Sequence, residues 1–344
     1  MKQTLFLLVA TATVVMLPLT QIKATDIVGV SNLSVPVPER HETMQITLWY
    51  PPTTGGTEML IGDNALFQGV TARLNAPAAA GPWPLILLSH GGLKSGPNID
   101  AWMASRLAAS GFSVAMLRQP DPHTQAPQEL LDEIWLRPAD LSATLTAIEA
   151  DMSLSGRIDT KRVGVFGFLV GGTSALALAG ARFDSENFMR SCDPGGTGVD
   201  CADFARTGVD LRAVDASRLA RSHLDSRIRA IFLVDPELSA NFTPESLADI
   251  SVPVDIVNLG NADTIWPGLN AAGLAGRIAT ANYDTVPDAT QYDAFSECKN
   301  DAPDILRKEG EEPLCDETGD RSRNEIHEQL AAMAAAAFRR MLPR

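Results

Sequence analysis

The stretch RVGVFGFLVGGTSALALAG, residues 162–180, holds the residue spacing that most directly indicates chemistry. An apolar strand pattern leads into a turn, GFLVG, framed by two glycines, and a helix pattern of small residues follows. In Gly-x-Ser-x-Gly sequences this frame makes room for a strained turn that exposes a serine nucleophile for acyl transfer. Here the tip is Leu169, whose side chain offers no nucleophile, acid or metal ligand. The pattern therefore predicts where a nucleophile would stand and also that it is missing.

The elements around this turn alternate between strand and helix patterns. Continuous apolar runs such as WPLILLS, FSVAML, IRAIFLV and VPVDIVNL are typical of strands buried on both faces of a parallel sheet. Between these runs, apolar residues recur at helical spacing. The last predicted helix has one apolar face, formed by Ile326, Leu330, Met333, Ala337 and Met341. The strand pattern MQITLWY precedes this alternation, so the sheet is expected to begin antiparallel. These patterns predict an α/β fold, with a mainly parallel central sheet and helices on both faces.

Residues 182–226 interrupt the alternation after the helix that follows the turn. The segment is polar, contains DPGGTG and two cysteines, and has few large apolar residues. A separate domain would need a core of its own. We therefore predict a cap-like insertion over the site, within one domain that spans residues 25–344.

The first 24 residues have the layout of a secretory signal peptide. Lys2 precedes an apolar run over residues 4–19, and Ala24 is a suitable residue before the cleavage point. The run is short for a bilayer span and contains Pro18. We therefore expect a protein that is exported, periplasmic or secreted, with no stable membrane span once this segment is removed.

The charge balance of the chain argues against nucleic-acid binding. Without Lys2 and Lys23 of the predicted signal peptide, 26 basic residues face 42 acidic ones, and no basic patch stands out. Nucleic acid is therefore not an expected partner.

The four cysteines allow three disulfide pairings, of which the nearest-neighbour choice is Cys192–Cys201 with Cys298–Cys315. No CxxC spacing or histidine pair suggests zinc, and the sequence predicts neither a metal nor a cofactor.

The order of several motifs resembles that of a known enzyme family. The motifs are LWYPP, LLSHGG, RPADLSATL, RVGVFGFLVGG, GNADTIWP and DRSRNEIHEQLAAMAAAAF. Together they resemble the secreted bacterial dienelactone-hydrolase-like proteins related to platelet-activating-factor acetylhydrolases, within the α/β-hydrolases. The resemblance covers nearly the whole chain after the predicted signal peptide and implies an ester or lactone hydrolase ancestry.

The resemblance implies a triad of serine, histidine and acid. Asp263 matches the G-x-x-D-x-x-x-P pattern and is the preferred acid position, and Asp235 in FLVDPEL is the alternative. Alignment on Pro287 and Cys298 puts Gln291 at the histidine position. Glutamine can form hydrogen bonds but is not a general base at neutral pH. Two of the three triad positions are therefore substituted.

Other parts of the catalytic frame are kept in the sequence. Gly167, Gly171 and Gly172 retain the glycines of the turn. The resemblance places the oxyanion hole at the backbone N–H groups of Gly92 and Val170. These donors belong to the main chain and are therefore kept when side chains are substituted.

The remaining histidines offer no evident substitute for the base. We expect His90 to have a structural role in the oxyanion loop and His327 to pack or face solvent, whereas His223, in the insertion, could fold over the site.

The first functional hypothesis is a pseudoenzyme that binds a small apolar, acyl or ester-like ligand, or a partner. The alternative is an active carboxylic-ester or lactone hydrolase that uses other residues, and a third hypothesis is a decaying copy without a selected role.

Overall fold

The computed structural model describes residues 27–89, 91–93, 95–118, 120, 122–196, 198–199, 201–316 and 321–344. The predicted signal peptide and His90 lie outside the described residues.

The described residues form a single ten-stranded sheet. Its strands are β1 Gly29–Val37, β2 Glu42–Tyr50, β3 Thr57–Ile61, β4 Val70–Leu74, β5 Trp83–Ser89, β6 Ser113–Leu117, β7 Ile158–Phe168, β8 Ile228–Val234, β9 Val254–Leu259 and β10 Ala281–Val286. They lie side by side in the order β10-β9-β8-β7-β5-β6-β2-β1-β4-β3.

The strands from β10 to β6 in this order are all parallel. At β2 the direction reverses, since β2 pairs antiparallel with both β6 and β1. Beyond it, β4 runs parallel to β1, and β3 forms the antiparallel edge. The predicted mainly parallel sheet with an antiparallel start is confirmed.

The helices flank both faces of this sheet. Among the described residues they are α1 Ala101–Ala109, α2 Glu133–Ala150, α3 Val170–Leu178, α4 Ser185–Met189, α5 Cys201–Thr207, α6 Ala216–Leu219, α7 Pro244–Ala248, α8 Ala272–Ala275, α9 Ala302–Glu309 and α10 Arg323–Met341. Within the described ranges, no helix combines the length and apolar character that crossing a bilayer requires.

Alternate side chains of each central strand enter one of two core layers. On β5, Leu85 and Leu87 join the layer beneath α2 and α3, whereas Ile86 and Leu88 join the layer beneath α1 and α10. All four are fully buried. Because both faces of the strand are covered, its sequence is a continuous apolar run rather than an alternating one.

The segment 182–226 packs on the α2 and α3 side of the sheet. Its buried side chains, among them Phe188, Leu211 and Leu219, belong to the same core layer as those of the two helices. The Asp225 N–H donates to the Leu178 carbonyl at 3.0 Å, which ties the end of the segment to the end of α3. A disulfide joins Cys192 to Cys201 in this segment.

The second disulfide joins Cys298 to Cys315. It links the chain after β10 to the chain after α9, beside the layer that α10 covers. Both bridges are those of the nearest-neighbour pairing.

Candidate active site

The positions singled out in the sequence lie at one edge of the sheet. Each follows the carboxyl end of a parallel strand, and these ends meet at the same edge. In sheet order the positions are Gln291 after β10, Asp263 after β9, Asp235 after β8, Leu169 with Val170 after β7, and Gly92 after β5.

The turn after β7 keeps a strained geometry. Leu169, between the last residue of β7 and the first of α3, has φ 51° and ψ −121°. This backbone region favours glycine, and a side chain there costs about 1–3 kcal/mol. The Leu169 N–H donates to the Val234 carbonyl at 3.2 Å, and the Leu169 carbonyl accepts from the Gly172 N–H at 2.9 Å. The turn therefore has the shape that would aim a nucleophile, with a half-buried leucine at its tip.

Two glycines of the frame lie where a side chain would have little room. A Cβ atom on Gly167 would lie 2.3 Å from the Gly171 carbonyl oxygen, which no side chain tolerates. On Gly172 it would lie 3.0 Å from the Cβ atom of Pro236, in the loop after β8. The first glycine allows α3 to turn back tightly, and the second keeps α3 close to that loop.

The loop after β5 reaches the tip of the turn. A Cβ atom on Gly92 would lie 3.8 Å from Cδ1 of Leu169. Val170 opens α3, so its N–H belongs to the first helical turn, where N–H groups lack intrahelical acceptors. Both backbone groups expected to form an oxyanion hole thus belong to segments that adjoin Leu169.

A buried arginine holds the loop after β5 in place. Nη1 of Arg137 donates to the Gly91 carbonyl at 3.1 Å, and Nη2 donates to the Gly92 carbonyl at 3.0 Å. Its Nε donates to Oε2 of Glu133 at 3.2 Å, one helical turn earlier on α2. The carbonyl groups of Gly91 and Gly92 are therefore held by a buried side chain of α2.

This arginine belongs to a buried network of four charged residues. Arg40 donates to both carboxylate oxygens of Glu133, at 2.6 and 2.9 Å, and to Oδ2 of Asp140 at 2.7 Å. Burial alone would raise the pKa of Glu133, but its hydrogen bond to Arg40 and the charges of both arginines hold that pKa below its usual range. The network joins two arginines to two carboxyl groups. Burial raises the pKa of Asp140 to about 7, although the charge of Arg40 opposes the shift. Although the sequence motif RPADLSATL contains Arg137 and Asp140, sequence reasoning assigned them no contact.

Asp235 is a buried carboxyl group directly after β8. It is 1% exposed and has a positive φ of 43°. Its Oδ1 accepts from Nδ2 of Asn258 at 2.6 Å and from the Leu259 N–H at 3.0 Å. Its Oδ2 is buried without a hydrogen-bond partner among the described residues. Burial raises its pKa to about 7, although these two hydrogen bonds oppose the shift.

Asp263 lies at the same edge in a different environment. It is exposed, in the turn after β9. Its N–H donates to Oδ1 of Asn261 at 3.0 Å, and Thr264 closes the same turn by accepting from the Asn261 N–H at 2.9 Å. The structure thus separates the two acid candidates by burial.

The raised pKa of Asp235 gives a pH-dependent prediction for stability. Between pH 4 and 7 the carboxyl group loses its proton in the unfolded chain but keeps it in the folded chain, so the free energy of unfolding falls as pH rises. Asp235→Asn should remove the share of this fall that Asp235 contributes. Between pH 4 and pH 8 the free energy of unfolding of the variant should therefore drop less than that of the unmodified protein, by up to roughly 4 kcal/mol. Urea denaturation at both pH values measures this difference. Asp263→Asn is the control, and an equal effect from both variants would contradict the assignment of the shift to burial at Asp235.

Gln291 opens a short 3₁₀ helix, Gln291–Ala294, and is half-buried. The residue after this helix, Phe295, packs edge-on against Phe168 with ring centroids 5.3 Å apart. Nε1 of Trp102 also donates to the Ala294 carbonyl at 3.0 Å. These contacts hold the loop of Gln291 against the last residue of β7, immediately before Leu169.

Neither His327 nor His223 lies at the turn after β7. His327 is fully buried, stacks on Trp102 at 3.6 Å, and its Nε2 lies 2.9 Å from the Phe295 carbonyl oxygen, so it packs as expected. His223 lines a surface groove of about 340 Å³ with Pro138 and Ser142, near the amino end of β8 and therefore at the opposite edge of the sheet. Burial lowers its pKa to about 4.

Comparison with solved structures identifies the architecture. A ferulic acid esterase from Streptomyces cinnamoneus matches over 95% of this chain and 92% of its own, with a TM-score of 0.59 and 18% identity. The chain has an α/β-hydrolase fold. A dienelactone hydrolase from Anabaena variabilis matches over 92% of this chain and 100% of its own, with a TM-score of 0.49 and 12% identity. No family model matches the sequence, and no curated protein matches it either. At these identities the likeness concerns the fold, and the roles of residues rest on the geometry above.

Proposed function

We propose that this protein is a pseudoenzyme on an ester-hydrolase scaffold, which binds a small apolar or acyl ligand at the turn after β7 and does not cleave it through a triad. The observation that carries this proposal is the strained conformation of Leu169. A backbone geometry suited to a nucleophile has been kept at a position that has none.

The surrounding frame supports this interpretation. The loop of Gly92 adjoins Leu169 and is held by a buried arginine. Asp235 is buried with an oxygen that has no hydrogen-bond partner among the described residues, and such an oxygen would receive the N–H of a catalytic histidine. We therefore infer that Asp235, rather than Asp263, is the acid position. The resemblance assigns the histidine position to Gln291, whose loop packs against the end of β7.

The side chains near the tip favour an apolar ligand. Leu169 and Tyr292 both pack partly buried on the core layer beneath α1 and α10. Trp266, in the loop after β9, is 39% exposed, and its ring lies edge-on to Tyr292 at 6.1 Å. These side chains offer a ligand apolar contact.

Export belongs to the same proposal. Two disulfides within the described residues fit a chain that matures in an oxidising compartment. Detection of the mature chain outside the cytoplasm, with its amino terminus near residue 25, is the expected result.

Steady-state hydrolysis of p-nitrophenyl acetate and p-nitrophenyl butyrate tests the proposal, with Leu169→Ala as the matched control. We expect the unmodified protein and the control to show the same weak, non-saturating rate. A thermal-shift titration with ethyl hexanoate should stabilise the unmodified protein. Saturable turnover by the unmodified protein would instead favour the alternative of an active hydrolase with other catalytic residues.

A further inference from the structure

We propose that Asn258 is the positioning residue for the acid of this site. It holds Oδ1 of Asp235, so that Oδ2 is the oxygen through which the carboxyl group binds a proton or accepts a hydrogen bond from a partner. The inference deepens the proposed function and rests on it, because it takes Asp235 as the acid position.

Asn258 lies beside Asp235 because of the register of two parallel strands. Val234 of β8 pairs with Val257 of β9. The residues that follow this pair are Asp235 on one strand and Asn258 on the other, at the carboxyl end of the sheet. The Asp235 N–H donates to the Val257 carbonyl at 3.0 Å, which extends the pairing to this point. Both polar side chains are buried.

The side-chain amide of Asn258 is held in one orientation. Its Oδ1 accepts from the Ala271 N–H at 2.8 Å, and its Nδ2 donates to the Leu269 carbonyl at 2.8 Å. A peptide N–H group only donates and a carbonyl group only accepts, so these two partners exclude the flipped amide. The Tyr283 hydroxyl on β10 also donates to Oδ1, at 3.1 Å. The amide therefore presents a donor, not an acceptor, to Asp235.

These contacts distinguish the two oxygens of the Asp235 carboxyl group. Oδ1 accepts from Nδ2 of Asn258 at 2.6 Å and from the Leu259 N–H at 3.0 Å, so donors occupy both of its lone pairs. The proton that the group carries below its pKa of about 7 therefore belongs on Oδ2, which has no hydrogen-bond partner among the described residues. Once ionised, Oδ2 is the oxygen free to accept an N–H group, as the acid of a triad does.

The hydroxyl group of Tyr283 supports the amide from the neighbouring strand. Burial raises the pKa of Tyr283, and the negative charge of Asp235 adds to the rise, so the hydroxyl keeps its proton at neutral pH and continues to donate to Asn258. Burial and the two hydrogen bonds to Oδ1 set the pKa of Asp235 itself. Removing the Asn258 donor should raise that pKa further, because the hydrogen bond stabilises the ionised form.

Titration of the Asp235 carboxyl group by carbon-13 NMR tests the inference in the full chain, labelled at its aspartate side chains. The signal that disappears in Asp235→Asn identifies the group, and its midpoint is expected near pH 7 in the unmodified protein. Asn258→Leu keeps much of the volume but removes the donor, and should raise the midpoint by about one pH unit or more. If Asn258→Leu does not fold, Asn258→Ala replaces it.

Asn282→Leu is the matched control. Nδ2 of Asn282 on β10 donates to Oδ1 of Asp255 on β9 at 2.8 Å, an asparagine-to-aspartate hydrogen bond at the surface of the same sheet. Its loss should leave the midpoint of Asp235 unchanged.

The inference is overturned if Asp235 titrates near pH 4 in the unmodified protein, as a free aspartate does, if the Asn258 variant leaves the midpoint unchanged or lowers it, or if Asn282→Leu moves it equally. The proposed function fails on a different result, saturable ester hydrolysis by the unmodified protein. That result does not alter the midpoint of Asp235 or its response to Asn258→Leu.

Discussion

Leu169→Ser combined with Gln291→His is expected to raise kcat/KM for p-nitrophenyl acetate at least about 100-fold above that of the unmodified protein. The turn already holds position 169 in a strained conformation, and the loop of Gln291 already packs against the end of β7. Backbone donors and binding alone typically leave ~10³–10⁴-fold catalysis over water, whereas a complete triad gives far more. Each single replacement should gain little, because a nucleophile and its base act as a unit.

A third replacement, made in the protein that carries Leu169→Ser and Gln291→His, identifies which aspartate is the acid of the triad. Asp235→Asn should remove most of the gained activity, because it takes the carboxylate away from the introduced histidine. Asp263→Asn should retain most of it, since Asp263 is exposed in its own turn. If Asp263→Asn abolishes the gain and Asp235→Asn does not, our assignment of the acid position is wrong.

Arg137→Met is expected to lower the free energy of unfolding by about 3–5 kcal/mol, the usual cost of removing one partner from a buried ion pair. The replacement fills much of the same volume but leaves Glu133 with one arginine instead of two. It also removes the hydrogen bonds from Arg137 to the carbonyls of Gly91 and Gly92, the second of which also accepts from the Ser95 N–H at 3.2 Å. Urea denaturation followed by circular dichroism measures the loss.

Arg212→Met is the matched control for this change. Arg212 pairs with Asp193 on the surface, where its side chain is 60% exposed, and such solvent-screened pairs contribute little to stability. If Arg137→Met destabilises the protein no more than Arg212→Met, the buried network does not stabilise the fold through the loop after β5.

The central strands could be predicted because their burial leaves a direct trace in the sequence. β5 and β8 are continuous apolar runs, since core layers cover both of their faces. β1 and β3 leave no such trace. β1 alternates polar and apolar residues and contains Pro36, and β3 is an edge strand with four of its five residues exposed. Pairing with neighbours, rather than composition, makes these segments strands.

Some features of the candidate site could also be predicted from the sequence, and others could not. The tip of the turn and its glycines could be located because local backbone geometry demands glycine at fixed offsets. The partners of Arg137 could not, since Arg137 donates to the Gly91 carbonyl across 46 positions of sequence. The sequence also favoured Asp263 for its motif, whereas burial, a tertiary property, distinguishes Asp235.

Intact-mass analysis after exposure to a fluorophosphonate tests the central claim most directly, because the reagent attaches covalently to an activated serine. We expect the unmodified protein to gain no mass, and the variant carrying Leu169→Ser with Gln291→His to gain one phosphonyl group at position 169. A stoichiometric adduct on any serine of the unmodified protein would contradict the account, because it would reveal a working nucleophile elsewhere in the site.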